Sequence, residues 1–173
     1  MSKPLNVVVI GVGGGGGRVV EAMHARHGNA LLFALVNSDL ESLASSPVRK
    51  QVPLRRGDGG VPTDRAAIQA VAEMADAALQ GLLRGVDRCC VIATLGGAAG
   101  SGASPVVVRL AQGLQIPTLV VGSLPFAWQG TPRRVTAAHA PPPPDGHTTR
   151  ALRVELDGQC KMRPEMMLDE VTV

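Results

Sequence analysis

Two stretches of this chain are almost bare of side chains, and each has the form of a site for an anion. Gly96-Gly97-Ala98-Ala99-Gly100-Ser101-Gly102 follows an apolar run, Cys89 to Leu95, that reads as a buried strand. It precedes Ala103 to Leu114, which reads as a helix with Pro105 in its first turn, where proline is tolerated. Gly11-Val12-Gly13-Gly14-Gly15-Gly16-Gly17 stands between the β-branched run Leu5 to Ile10 and a short helix expected over Arg18 to Arg26. A strand, a bare loop and a helix N-terminus together turn several backbone N–H groups, and the positive end of a helix dipole, toward one point. Phosphate is the usual occupant of such a point. The alternative reading of each stretch is a tight turn that needs glycine for its dihedral angles.

Gly11, Gly13 and Gly16 also satisfy the dinucleotide fingerprint, with Asp39 at a later strand end, which points to a nicotinamide-dependent oxidoreductase. Two features oppose it. Five consecutive glycines, 13 to 17, are more than that turn requires, and a second glycine loop is not part of the scheme. Asn37, Ser38 and Asp39 close the apolar run Leu31 to Val36, where polar residues face a ligand crevice, although Asn and Asp also suit turns. His24 and His27 read as a solvated face or as partners of a helix C-terminus. No cysteine and histidine spacing suits zinc, so no metal ligand and no catalytic residue is assigned. Cys89, Cys90 and Cys160 read as reduced thiols of a cytoplasmic protein. Trp128, the only tryptophan, reads as packing a loop onto the domain.

Strands alternate with helices throughout residues 5–123. That order predicts an α/β fold: a Rossmann-like, three-layer parallel sheet with helices on both faces. Right-handed crossovers then bring the loops at the strand ends to one edge. A short helix is expected over Leu40 to Ala44, a short strand over Gln51 to Leu54 and another over Thr118 to Gly122. Arg55 to Val61 reads as a loop. One helix is expected from Thr63 or Asp64 to Gly85, because Ile68, Val71, Ala75, Leu79 and Leu82 recur at helical spacing. The domain is expected to span 1–134. Residues 135–173 form a proline-rich linker, with four consecutive prolines at 141–144, and an irregular, peripheral or disordered tail in which Leu152 to Leu156 is a candidate edge strand.

The composition narrows the function. Aromatic residues are 2% of the 173 residues and Tyr is absent, so aromatic stacking on exposed bases is not the expected binding mode. A net charge of +3 with scattered arginines gives no nucleic-acid surface. No signal peptide and no apolar run of membrane-spanning length is visible.

Four collinear segments carry a family resemblance. Val9-Ile10-Gly11-Val12-Gly13-Gly14-Gly15-Gly16-Gly17 resembles FtsZ, the bacterial relative of tubulin. Ala34-Leu35-Val36-Asn37-Ser38-Asp39 resembles the FtsZ segment ending Asn-Thr-Asp. Residues 96–108 resemble the tubulin/FtsZ signature loop, Gly-Gly-Gly-Thr-Gly-Thr-Gly, and the helix after it. Pro125-Phe126-Ala127-Trp128-Gln129-Gly130 resembles Pro-Phe-x-Phe-Glu-Gly. The likeness covers about residues 5–134 and implies a guanine-nucleotide-binding domain, with GTP or GDP as ligand and Mg2+ as a candidate accompanying ion.

The resemblance also implies roles. Gly14, Gly15, Gly16 and Gly17 match glycines that approach the phosphates, and Arg18 stands where the family usually has Asn. Asn37 and Asp39 match polar residues near the nucleotide. Asp58, Gly59 and Gly60 match a loop that senses the γ-phosphate, with Asp58 replacing a small neutral residue whose neighbourhood would then need a cation. Gly97, Ala98, Ala99, Gly100, Ser101 and Gly102 match the signature loop, with Ala99 and Ser101 in place of its two threonines. Gln129 stands where a Glu contacts the ribose, and Arg133 matches an Arg beside the base, with Arg134 the alternative. After Arg134 the family's guanine-contacting Asp, its Asn-x-Asp-x-x-Asp loop and its second domain are not found. Hydrolysis is therefore expected to be weak or to depend on a partner subunit. The expected partners are guanine nucleotide and either full-length FtsZ, whose filament this chain could cap, or a second copy of itself; neither nucleic acid nor membrane insertion is expected. A remnant that no longer binds nucleotide is the second reading.

Overall fold

Each apolar run of the sequence becomes a strand, and the strands share one direction. The computed structural model describes residues 4–131 and 149–155. The strands are β1 (Val7–Val12), β2 (Leu32–Asn37), β3 (Lys50–Pro53), β4 (Arg88–Thr94), β5 (Thr118–Leu124) and β6 (Thr149–Glu155). They form a single sheet in the order β3-β2-β1-β4-β5-β6, every pair parallel. This is the doubly wound order, and its direction of winding reverses between β1 and β4. Val8 lies opposite Leu32 on one side and Cys89 on the other, which fixes the register at the centre.

Side chains alternate across the pleat, so each central strand feeds two cores. Val8, Ile10, Val12, Val91 and Ala93 pack with Ile68, Val71, Leu79, Leu83 and Val106. Those residues belong to α3 (Arg65–Met74), α4 (Asp76–Leu83) and α5 (Ala98–Gly113). Val9, Phe33 and Leu35 pack on the opposite face with Val20 and Leu43, which belong to α1 (Gly13–His27) and α2 (Leu40–Ser45). The outcome is the three-layer architecture expected from the alternation of elements.

Three local features differ from the sequence reading. Both glycine stretches are helical over most of their length: α1 begins at Gly13 and α5 at Ala98, rather than at Arg18 and Ala103. Glycine costs about 1 kcal/mol per helical residue relative to alanine, and tertiary packing offsets that cost here. A Cβ on Gly16 would stand 2.3 Å from the Ile92 carbonyl oxygen, and one on Gly100 would stand 2.2 Å from that of Thr94. The first turns of both helices therefore rest directly on strand backbone. Pro105 consequently falls inside α5 rather than in its first turn. The long amphipathic segment is two helices, not one. It breaks at Ala75, whose N–H reaches both the Val71 and Ala72 carbonyls, and Asp76 opens α4 with its charge at the positive end of the new helix. Lastly, the edge strand near Leu152 begins at Thr149, where Gln112 Nε2 donates to Thr149 Oγ1 at 2.9 Å and ties α5 to β6.

Cys89 and Cys90 are neighbours on β4 and point to opposite cores. Burial pushes the Cys89 thiol up to about 12, with the adjacent Cys90 adding to the effect, and burial raises Cys90 as well. At pH 8 the Cys89 thiolate is then more than about a thousandfold scarcer than that of a free thiol. In a Cys160→Ser variant, native protein is expected to leave a thiol-reactive dye unchanged and to react only after unfolding. Fast stoichiometric labelling of the native form would contradict this burial.

Candidate functional site

Helix N-termini carry backbone donors without intrahelical partners, and most are covered by a side-chain cap. Neither α1 nor α5 has one: Val12 and Gly97 hold the N-cap positions without a side-chain hydrogen bond, and neither first turn holds an acidic residue. The two termini lie against each other. Gly13 has φ +75°, and a Cβ there would stand 2.8 Å from the Gly100 nitrogen. Both open into one cleft of about 840 Å³ at the C-terminal edge of the sheet, beside the β1–β4 reversal. That volume is in the range of small-molecule sites. Its floor is lined by Gly11, Gly13, Gly14, Gly15, Gly17 and Gly97.

Polar side chains flank the floor on two sides. On the β2 side stand Asn37, Asp39 and Ser42, with Arg18 and Glu21 reaching in from α1. Asn37 is buried, and its Oδ1 accepts from the N–H groups of Ser38 (2.8 Å) and Asp39 (3.3 Å), which leaves its amide nitrogen as the remaining polar group. Asp39 caps α2. Its Oδ1 accepts from the N–H groups of Glu41 and Ser42, both at 3.1 Å, and its Oδ2 from Ser42 Oγ at 2.7 Å. The Ser42 hydroxyl bond, then the Ser42 backbone bond, hold this carboxyl below its usual range.

A carboxylate whose folded pKa lies below its unfolded value contributes stability above the ordinary value and loses it as pH falls through the lower, folded one. Asp39→Ala is therefore expected to lower the Tm by a few degrees at pH 7, with the difference from the parent closing at an acid pH below the ordinary carboxylate value. Melting curves at the two pH values check this, and a difference independent of pH would count against a charged cap.

On the β5 side the cleft is lined by Thr94, Ser123, Trp128 and Gln129. Thr94 and Ser123 are register partners on adjacent strands. Ser123 Oγ is buried with no hydrogen-bond partner among the described residues. Phe126 is buried beneath Trp128, with ring centroids 5.5 Å apart and planes 17° from parallel.

The residues singled out from sequence divide into four groups. Gly14, Gly15, Gly17, Arg18, Asn37, Asp39, Gly97 and Gln129 line the cleft. Gly16, Ala98, Ala99, Gly100, Ser101 and Gly102 lie behind it. Gly16 and Gly100 seat their helices on β4, and Gly102 lets α5 approach the Arg65 carbonyl of α3. Ser101 is wholly buried, and its Oγ accepts from the Gly96 N–H at 3.0 Å, so the hydroxyl holds the loop together from inside. Asp58, Gly59 and Gly60 form an exposed turn away from the lining. There Arg56 pairs with Asp58 at 3.3 Å, and the Gly60 N–H donates to Asp58 Oδ1 at 2.9 Å. Asp58 thus stands away from the cleft lining, paired with Arg56. Arg133 and Arg134 lie outside the described residues. Glu21, Thr94 and Ser123, which the sequence did not single out, also line the cleft, as does Trp128, which reads from the sequence as packing a loop. The signal for Thr94 and Ser123 was present, since residues at the carboxyl ends of strands beside a reversal of winding border the ligand crevice.

Comparison with known proteins gives a consistent result. The family model described as Tubulin/FtsZ family, GTPase domain, matches residues 6–140. The chain is 34% identical over 139 residues to "Cell division protein FtsZ 2" of Rhizobium meliloti, covering 76% of this chain and 39% of that protein. It is 35% identical over 145 residues to "Cell division protein FtsZ" of Neisseria meningitidis serogroup A, covering 80% and 36%. Among solved structures, an empty FtsZ dimer of M. jannaschii superposes with a TM-score of 0.87 at 20% identity, covering 99% of this chain and 50% of that one, a likeness of fold. A GTPγS-bound protofilament of CetZ2 from Haloferax volcanii gives 0.80 at 27% identity, covering 97% and 54%. The chain thus spans well under half the length of these curated relatives and about half of these structures.

Proposed function

The chain belongs to the Tubulin/FtsZ family, and from that premise we propose that it binds a guanine nucleotide, GTP or GDP, with the phosphates on the floor formed by Gly13, Gly14, Gly15, Gly17 and Gly97. The observation that carries the reading is the pair of uncapped, acid-free helix N-termini opening into one cleft. Two such termini offer backbone N–H donors and two positive dipole ends to the same anion. The absence of side chains along this path supports the reading. A Cβ at Gly14 or Gly97 would meet nothing within 4 Å, so the space above the floor is open. Asn37 and Gln129, on opposite flanks, are the polar groups for the rest of the nucleotide.

Among the described residues no group of three His, Cys, Asp or Glu side chains is placed to hold a metal ion. Mg2+ would enter this site on the phosphates, as is usual for that ion, with Asp39 and Glu21 the carboxylates of the lining. Asp39 is already engaged by α2. As the resemblance implies, we also propose that hydrolysis depends on groups supplied by a partner subunit. A role in cell division rests on the names of the relatives and belongs to the same proposal.

Calorimetric titration with GTP, GDP and NADH tests the reading. Saturable binding of GTP and GDP, with no heat from NADH, is expected. An absence of guanine-nucleotide binding would leave a remnant that has kept the fold alone, and NADH binding would point to the dinucleotide reading.

A further inference from the structure

We infer that Trp128 is a stacking wall for the nucleoside half of the ligand, so that the base is held by an aromatic ring of this chain's β5 loop. The inference rests on the nucleotide reading above and names the part of the site that reading leaves open. The chain has one Trp, two Phe and no Tyr. Phe126 is 1% exposed and fills the interior, whereas Trp128 leaves 64% of its surface open at the rim of the cleft. One face of its indole lies nearly parallel on Phe126. The stack is offset, at 5.5 Å between centroids, and the rest of the indole is open at the rim.

The ring is also held in place. Trp128 is the middle residue of a single 3-10 turn, Ala127–Gln129, closed by the Gln129 N–H on the Phe126 carbonyl at 3.0 Å. Gly130 leaves the turn at φ +90°, a conformation open to glycine. Contact with a buried ring narrows the indole's rotamer choice, which lowers the cost of ordering it on binding.

Placement gives the wall its occupant. The floor glycines follow β1 and β4, and Trp128 follows β5, two strand spacings from β1, or about 10 Å. A ligand anchored by phosphate at the floor must carry a second, flat and apolar part to reach the indole. A nucleoside has that shape, and inorganic phosphate or pyrophosphate does not. Gln129 lies beside the ring with an amide for the sugar. Stacking tolerates any base, so this wall supplies affinity and leaves base selection to hydrogen-bonding groups.

The single Trp makes the test direct. GDP is expected to quench Trp128 fluorescence with the same midpoint as its binding heat, and pyrophosphate is expected to compete for the floor without quenching. Trp128→Ala should weaken GDP by about tenfold or more, leave pyrophosphate unchanged and keep the parent's melting temperature within a few degrees. Trp128→Phe should recover most of the loss. Unchanged GDP affinity in Trp128→Ala would overturn the wall while leaving the binding reading intact. Quenching that follows protein concentration instead of GDP would assign the ring to contact between copies and overturn it too. Wild-type protein that binds neither GDP nor pyrophosphate would remove both readings together.

Discussion

Gly16→Ala is expected to cost about 3 kcal/mol or more, enough to lower the Tm by about 10 °C. The added methyl would stand 2.3 Å from the Ile92 carbonyl oxygen, 3.1 Å from its carbon and 3.3 Å from the Ala93 Cα. All three are backbone atoms of a central strand, paired on both sides in the sheet. They cannot rotate away as a side chain could, so α1 must lift off β4 or β4 must bend. The neighbouring control is Gly14→Ala. That position has open space around a Cβ, is not in the left-handed region, and lies in the same helical turn. It is expected to be neutral or stabilising by up to about 1 kcal/mol. Thermal melts of the two variants decide the matter. Equal Tm values would mean that Gly16 does not seat the helix.

Gly14→Asp is expected to separate binding from stability in the opposite sense. An acidic residue in the first turn of a helix interacts favourably with the dipole, and α1 has none there. The fold should therefore be as stable as the parent or slightly more so. The same carboxylate would stand on the floor of the cleft, beside the proposed phosphates. At about 5 Å, with an effective dielectric of 20 to 80, repulsion is on the order of 1–3 kcal/mol per phosphate charge. GDP affinity should fall about a hundredfold. Calorimetry with GDP and a melting curve on one preparation give both numbers. Retained affinity would move the phosphates off Gly14.

The contrast between Gly14 and Gly16 also defines what could be read from the sequence. Five identical residues in a row carry no internal distinction. What separates them is the carbonyl of Ile92, a residue 76 positions away that parallel pairing brings beneath α1. The strands were legible because buried parallel strands are continuous apolar runs, and Leu32–Asn37 and Arg88–Thr94 lie within a residue or two of those runs. The helix starts were not, because propensity sets glycine against helix and only tertiary packing reverses the preference. The break at Ala75 was hidden for a related reason: Ile68, Val71, Leu79 and Leu82 keep helical spacing on both sides of it. Within the cleft, the floor was visible as composition. Its flanks were legible only in part: Thr94 and Ser123 stand at strand ends, where a crevice is expected, but their juxtaposition, and that of Trp128, arises only when β4 and β5 are paired.

That pairing has a kinetic consequence. Val7 meets Arg88 across 81 residues of chain, and no hairpin shortens the path between β1 and β4. Parallel contacts of this span are slow to form, because loop closure must occur before they add any stability. The cleft straddles that one junction and does not exist until it closes. Under the proposed binding, a nucleotide would therefore do little to hasten folding. Its effect would fall on the return journey, where a bound ligand must be shed before β1 and β4 can part, so it would lengthen the lifetime of the native state while the refolding rate stayed as it was.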